Sequence, residues 1–242
     1  MLRSVSVLLF FLTFCNVAAA QGVATSVPDD IDVNLSYVFY LPDEVVTPDD
    51  PQPRHPEYGE YQYAEIVNRI SAARFTVITQ PRETTAHPYL VAADIAKQIR
   101  QLADAGVPAS HIGIVGAGQG AVIAITAVSK LGDSDLQVVL LSACSAPFID
   151  YWEKENELLS GNVLSFYVAG STRRGPCLPF LEYCGAGRVK QHREIALPES
   201  VGEGYFYKGT ADWMLPAIAW LRGDFNAVSD HGLVPPEVSK PR

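Results

Sequence analysis

Beyond its first twenty residues the chain has no apolar run long enough to cross about 30 Å of hydrocarbon, so no integral membrane segment is expected in its folded part. Basic residues are also few. Eighteen Lys and Arg stand against 27 Asp and Glu, a net charge of −9, which argues against nucleic acid and anionic membrane surfaces as partners. Cysteine is scarce: four are present, and Cys15 lies in the N-terminal apolar segment. Cys177 and Cys184 with the one nearby histidine, His192, are too few for a metal site, so no metal is expected. No internal repeat and no break in composition marks a second domain.

What is present suits one globular core, with 48% hydrophobic and 19% charged residues, well outside the disordered regime. The N-terminus reads as an export signal: Arg3 gives a basic start, residues 5–14 are almost continuously apolar, and Ala18, Ala19 and Ala20 suit cleavage. The expected organisation is a signal peptide over 1–20, a folded domain over 21–222 and a polar, proline-containing tail over 223–242. The mature protein would be extracytoplasmic, periplasmic or secreted. In an oxidising compartment Cys177 and Cys184, seven apart in a Gly- and Pro-rich loop, are expected to pair, contributing roughly 2–3 kcal/mol. Cys144, at the end of an apolar run, is expected to be a buried thiol.

Strand-like and helix-like segments alternate. Residues 37–41, 75–79, 111–115, 137–141 and 163–168 are short, apolar and rich in β-branched residues. Tyr63, Ile66, Val67 and Ile70 share one helical face, as do Val91, Ile95, Ile99 and Leu102. A third helix follows the glycine turn at residues 116–120, and another closes at 213–221. The pattern predicts an α/β fold: a mostly parallel sheet covered by helices on both faces.

The turn His111-Ile112-Gly113-Ile114-Val115-Gly116-Ala117-Gly118-Gln119-Gly120-Ala121 admits two readings. Gly116, Gly118 and Ala121 fit a dinucleotide fingerprint, with the pyrophosphate on helix N-terminal amides. That motif needs an acid closing the next strand, where Leu141-Ser142-Ala143 stands instead, and it opens its domain rather than following two strands. No cofactor is therefore expected. The same residues fit the strand–turn–helix of a nucleophile elbow, G-x-S-x-G, with Gly118 in the serine position.

From this elbow and from His55-Pro56-Glu57-Tyr58-Gly59-Glu60-Tyr61 after the first long loop, the chain resembles the α/β-hydrolases, in particular small bacterial members, over residues 37–221. The resemblance implies a three-layer α/β sandwich with its site at the elbow. It also implies a serine that attacks a carbonyl, a histidine that takes its proton and an acid that orients the histidine. This chain departs at each position. Gly118 replaces the serine, Ser171 stands in the loop where the acid is expected, and Glu203 stands where the histidine is expected. Pro42-Asp43 replaces the His-Gly of the oxyanion loop. Loss of such a nucleophile costs roughly a million-fold in kcat, about 8 kcal/mol. A left-handed turn, by contrast, costs glycine nothing. No residue is therefore assigned a catalytic role, and the expected reading is a pseudo-hydrolase that binds a small-molecule or protein ligand. Its pocket would be lined by Asp43 and His55, with the Gln119 and Gly120 amides offered to an anion. The alternative is an esterase with a displaced nucleophile, Ser145 or Ser171, and His55 as base. Arg173 and Arg174 read as a solvated turn, and Tyr205, Phe206, Tyr207 and Trp213 as core.

Overall fold

A computed structural model describes residues 22–132, 135–185 and 187–233. The expected signal peptide and residues 234–242 of the expected tail lie outside the described residues. In chain order the elements are β1 (Val23–Ala24), β2 (Tyr37–Leu41), the ribbon β3 (Arg54–His55) and β4 (Gly59–Glu60), α1 (Tyr63–Ala72), β5 (Thr76–Ile78) and α2 (Pro88–Asp104). Then come β6 (Ile112–Ala117), α3 (Gln119–Ser129), β7 (Gln137–Leu141), α4 (Ala146–Lys154), β8 (Gly161–Val168), α5 (Leu178–Cys184) and β9 (Val189–Leu197). The chain closes with α6 (Ala211–Leu221) and the ribbon β10 (Val228–Ser229) and β11 (Gly232–Leu233).

Seven strands form one sheet in the order β1-β5-β2-β6-β7-β8-β9, every neighbouring pair parallel. Alternation along the strands builds two cores. Phe39, Leu41, Ile114, Val138 and Leu140 face α2, α3, α4 and α5, while Val38, Tyr40, Val115, Val139 and Leu141 face α1 and α6. Each fully buried side chain of this size contributes about 1.5–3 kcal/mol of transfer free energy. The predicted three-layer α/β sandwich is what forms. After β2 the chain steps to one side for β5, then crosses back over β2 to β6 and continues outward. The connections therefore leave β2 and β6 toward opposite faces, and a crevice opens between the carboxyl ends of these two strands.

The staple differs from the expected one. Cys144 pairs with Cys177 at a Cα–Cα separation of 5.2 Å, and Cys184 is a buried free thiol. The loop expected between Cys177 and Cys184 is helix α5, with Cys177 just before its first residue and Cys184 at its end. Seven residues of helix rise about 10 Å, too far for a disulfide, which needs Cα atoms within about 7 Å. Part of the stretch expected to be tail has structure of its own. Residues 225–233 form a 3₁₀ turn and a ribbon, with Val228 buried in the α6 core and Phe225 packed 4.7 Å from Trp220, ring to ring.

Candidate functional site

The crevice at the β2–β6 edge holds the glycine turn. Gly118 has φ +54° and ψ −118°, a conformation closed to most side-chain-bearing residues. Its N–H donates to Leu141 O at 3.0 Å and its carbonyl accepts from Ala121 N–H at 3.1 Å, so strand passes to helix within one residue. The flanking glycines are required by space. A Cβ at Gly116 would lie 2.5 Å from Ala121 Cα, and one at Gly120 would overlap Leu41 O and sit 2.6 Å from Pro42 O.

The space beside Gly118 is already occupied. A Cβ at this position would overlap the Asp43 carboxylate, with Oδ2 at 2.5 Å. Asp43 stands two residues past the end of β2, and its Oδ1 accepts the Gln119 N–H at 3.0 Å and the Glu44 N–H at 2.8 Å. The first-turn amide expected to meet an external anion thus meets an internal one. Gln119 Nε2 donates to Glu44 Oε2 at 2.6 Å and ties the same two segments together. A carboxylate at this helix terminus is stabilising.

A small cleft of about 150 Å³ remains around this corner, lined by Asp43, Glu44, His55, Tyr58, Tyr61, Gly118, Ser142, Arg173, Arg174 and Tyr207, among others. His55 is in it, as expected. Its Nδ1 accepts the N–H groups of Glu57 and Tyr58 at 3.1 and 3.2 Å, and its ring stacks on Tyr58 with centroids 4.3 Å apart. A neutral imidazole with Nδ1 accepting carries its proton on Nε2, so the free nitrogen is a donor and cannot take a proton from a nucleophile. Below the cleft, the Tyr40 and Tyr61 hydroxyls share a 2.9 Å hydrogen bond. Burial holds both phenols well above their ordinary range and pushes Tyr207, also raised by the Asp43 charge, up to about 12. These groups stay neutral near pH 7 and supply no base.

Several expected residues fall elsewhere. Ser171 Oγ accepts the backbone N–H groups of Arg173 and Arg174 at 3.2 and 3.0 Å and serves the turn rather than the cleft. Ser145 lies outside the lining and precedes α4. The backbone of Glu203 opens a 3₁₀ turn, Glu203–Tyr207, on the way to α6. Arg173 and Arg174 are not a merely solvated turn: the Cys144–Cys177 bridge holds their loop against the cleft, and Arg174 lies 4.8 Å over the Phe148 ring. One serine escaped the sequence reading. Ser142, next after β7, lines the cleft at φ +50°, and its buried Oγ has no hydrogen-bond partner. Its place at the carboxyl end of the strand beside the elbow was the available signal. Among the described residues no three His, Cys, Asp or Glu side chains gather as a metal would require.

Strand order, the switch point at β2–β6 and the left-handed corner at Gly118 together define an α/β-hydrolase-like fold. No protein-family profile and no curated protein sequence matches the chain. Among solved structures it is similar to SOBER1 from Arabidopsis thaliana, at 13% identity and a TM-score of 0.48, over 78% of this chain and 98% of that one. It is also similar to a YdeN-like hydrolase from Pectobacterium atrosepticum, at 15% identity and a TM-score of 0.46, over 78% of this chain and 92% of that one.

Proposed function

We propose that this is an exported α/β-hydrolase-like protein without hydrolase chemistry, acting as a binding or accessory protein. The reading rests on one observation: the Asp43 carboxylate fills the volume a nucleophile at position 118 would need and takes the amide that would stabilise an oxyanion. A negative charge there opposes the charge that develops on a tetrahedral intermediate. Export is supported by the N-terminal apolar segment and the Cys144–Cys177 bridge, and no helix among the described residues is long and apolar enough to cross a membrane. The test is turnover of p-nitrophenyl butyrate with parallel labelling by a fluorophosphonate probe. The expected result is hydrolysis at the uncatalysed rate and no label.

The alternative, a serine hydrolase with a displaced nucleophile, has Ser142 in its favour rather than Ser145 or Ser171. Its strained backbone and unpartnered hydroxyl in the cleft are features that can mark reactive serines. Against it stand the engagement of His55 Nδ1 by two backbone N–H groups and, among the described residues, the lack of a hydrogen-bonded histidine–acid pair in the cleft. Fluorophosphonate labelling that disappears in Ser142→Ala would establish this alternative and overturn the first reading.

A further inference from the structure

A second cavity, of about 620 Å³, opens at the carboxyl ends of β5 and β2 on the far side of the Pro42–Asp43 segment from the elbow cleft. Its wall is largely apolar, with Leu41, Ile78, Leu90, Val91 and Ile95 contributing. Its volume lies in the range of small-molecule sites. Among the polar residues of that wall, Arg82 is the buried cation. It is only 7% exposed, its Nη2 donates to Pro42 O at 2.5 Å, and its buried Nη1 has no acceptor. No carboxylate forms an ion pair with it among the described residues. A guanidinium does not escape burial by losing its proton; the Asp43 carboxylate favours its charge from a distance, but the hydrogen bond that Nη1 could donate is not made, and an unmade bond at a buried charged group is costly. The amino end of α2 borders the same cavity through His87, Leu90 and Val91. That 17-residue helix has no side-chain cap and no acid in its first turn, so its dipole adds positive potential there.

We propose that this cavity binds a monocarboxylate with an apolar chain. Its carboxylate pairs with Arg82 after a small rotation of the guanidinium toward the cavity, and its chain lies along Ile78, Leu90, Val91 and Ile95. The buried cation selects an anion, and the apolar wall selects what is attached to it. Glu83 and Asp94, both exposed at the cavity's edge, disfavour a dianion such as phosphate, which one cation would leave under-compensated. Asp94 is engaged by Gln98 Nε2 at 2.7 Å and does not compete for Arg82. The site goes beyond the reading of the elbow and does not depend on it.

Calorimetric titration of the purified protein with decanoate, 1-decanol and inorganic phosphate tests the proposal. A charge-assisted contact predicts decanoate binding about ten- to a hundredfold tighter than decanol, with no measurable phosphate binding. Arg82→Met removes that discrimination and leaves the two chains bound alike. Leu90→Glu, at an exposed position where folding is undisturbed, adds a like charge and weakens decanoate more than decanol. Equal binding of acid and alcohol overturns the proposal, as does phosphate binding as tight as decanoate or decanoate binding that Leu90→Glu does not change. Esterase activity in the protein would sink the reading of the elbow and leave this site standing, so the two failures are distinguishable.

Discussion

Two hollows open at the carboxyl edge of the same sheet, one on each side of Pro42 and Asp43, and the chain treats them in opposite ways. At the elbow the positive helix terminus is answered from within: Asp43 accepts the Gln119 amide, and about 150 Å³ remains. Beyond that wall the cation is answered only in part: Arg82 Nη2 donates to Pro42 O and the Asp43 charge acts on it from a distance, but Nη1 is buried without an acceptor among the described residues, beside about 620 Å³ of mostly apolar space. Internal satisfaction of a polar group removes the reason for a ligand to come, and an orphaned polar group supplies one. On the readings proposed above, chemistry at the elbow and binding in the second cavity are therefore separable, and each can be tested without the other. Each side of the contrast can be broken by substitution.

The largest effect is expected from Gly120→Ala. Its new Cβ would meet two backbone carbonyls, Leu41 O and Pro42 O, and neither belongs to a flexible side chain. Relief requires β2 and α3 to move apart, so the loss of stability should be about 4 kcal/mol, read by urea unfolding. A loss under about 1 kcal/mol would show that the wall between the hollows is soft, and the contrast would lose its rigid partition.

Gly118→Ser comes next. Strain at φ +54° costs on the order of 1–3 kcal/mol, and displacing the Asp43 carboxylate costs a charge-assisted hydrogen bond, so about 3 kcal/mol is expected in total. Asp43→Ala alone removes a helix-terminal acceptor, for about 1–2 kcal/mol. Because the two side chains compete for one volume, the double variant should lose less than the sum, with a coupling of about 1–2 kcal/mol in a double-mutant cycle. Additivity within about 0.5 kcal/mol would mean that the carboxylate does not occupy the nucleophile's place. On the reading proposed above, none of these variants is expected to hydrolyse an acyl ester, because Nδ1 of His55, the cleft's histidine, already accepts two backbone N–H groups rather than facing an acid.

How much of this the residues announced depends on whether the signal is local. Five of the seven sheet strands carry short β-branched runs, and α1 and α2 carry clear i, i+3, i+4 spacing, so the body of the parallel sheet was legible; the edge strands β1, two residues long, and β9, largely polar, were not. The left-handed corner was legible too, through the spacing of Gly116, Gly118 and Gly120; only Gly116 answers to atoms near it in sequence, those of Gly120 and Ala121, while Gly118 and Gly120 are crowded by Asp43, Leu41 and Pro42 across the chain. Partnerships across the chain were not. Asp43 and Gln119 are 76 residues apart, and only the parallel register of β2 against β6 brings them together. The disulfide failed for the same reason: Gly175, Pro176 and Gly185 suggested a loop around Cys177 and Cys184, whereas the seven residues between flanking loops, LPFLEYC, bury Phe180 and Leu181 and coil into a helix. Arg82 was visible as Pro-Arg-Glu just past a predicted strand, but nothing in its neighbours in sequence says that it is buried without an anion.

The smallest effect is expected from Arg82→Met, and it tests the open side of the contrast directly. Two consequences oppose one another. Removing a buried, unpaired charge is favourable, while Pro42 O loses its donor, at about 1–3 kcal/mol. The net change in stability without added ligand should stay below about 1 kcal/mol, far less than for Gly118→Ser. A destabilisation above about 3 kcal/mol would mean that the guanidinium is a strut holding Pro42 and Asp43 in place. The two hollows would then be one mechanical unit, the unpartnered Nη1 a by-product of that bracing, and the elbow's closure would depend on the cation behind it.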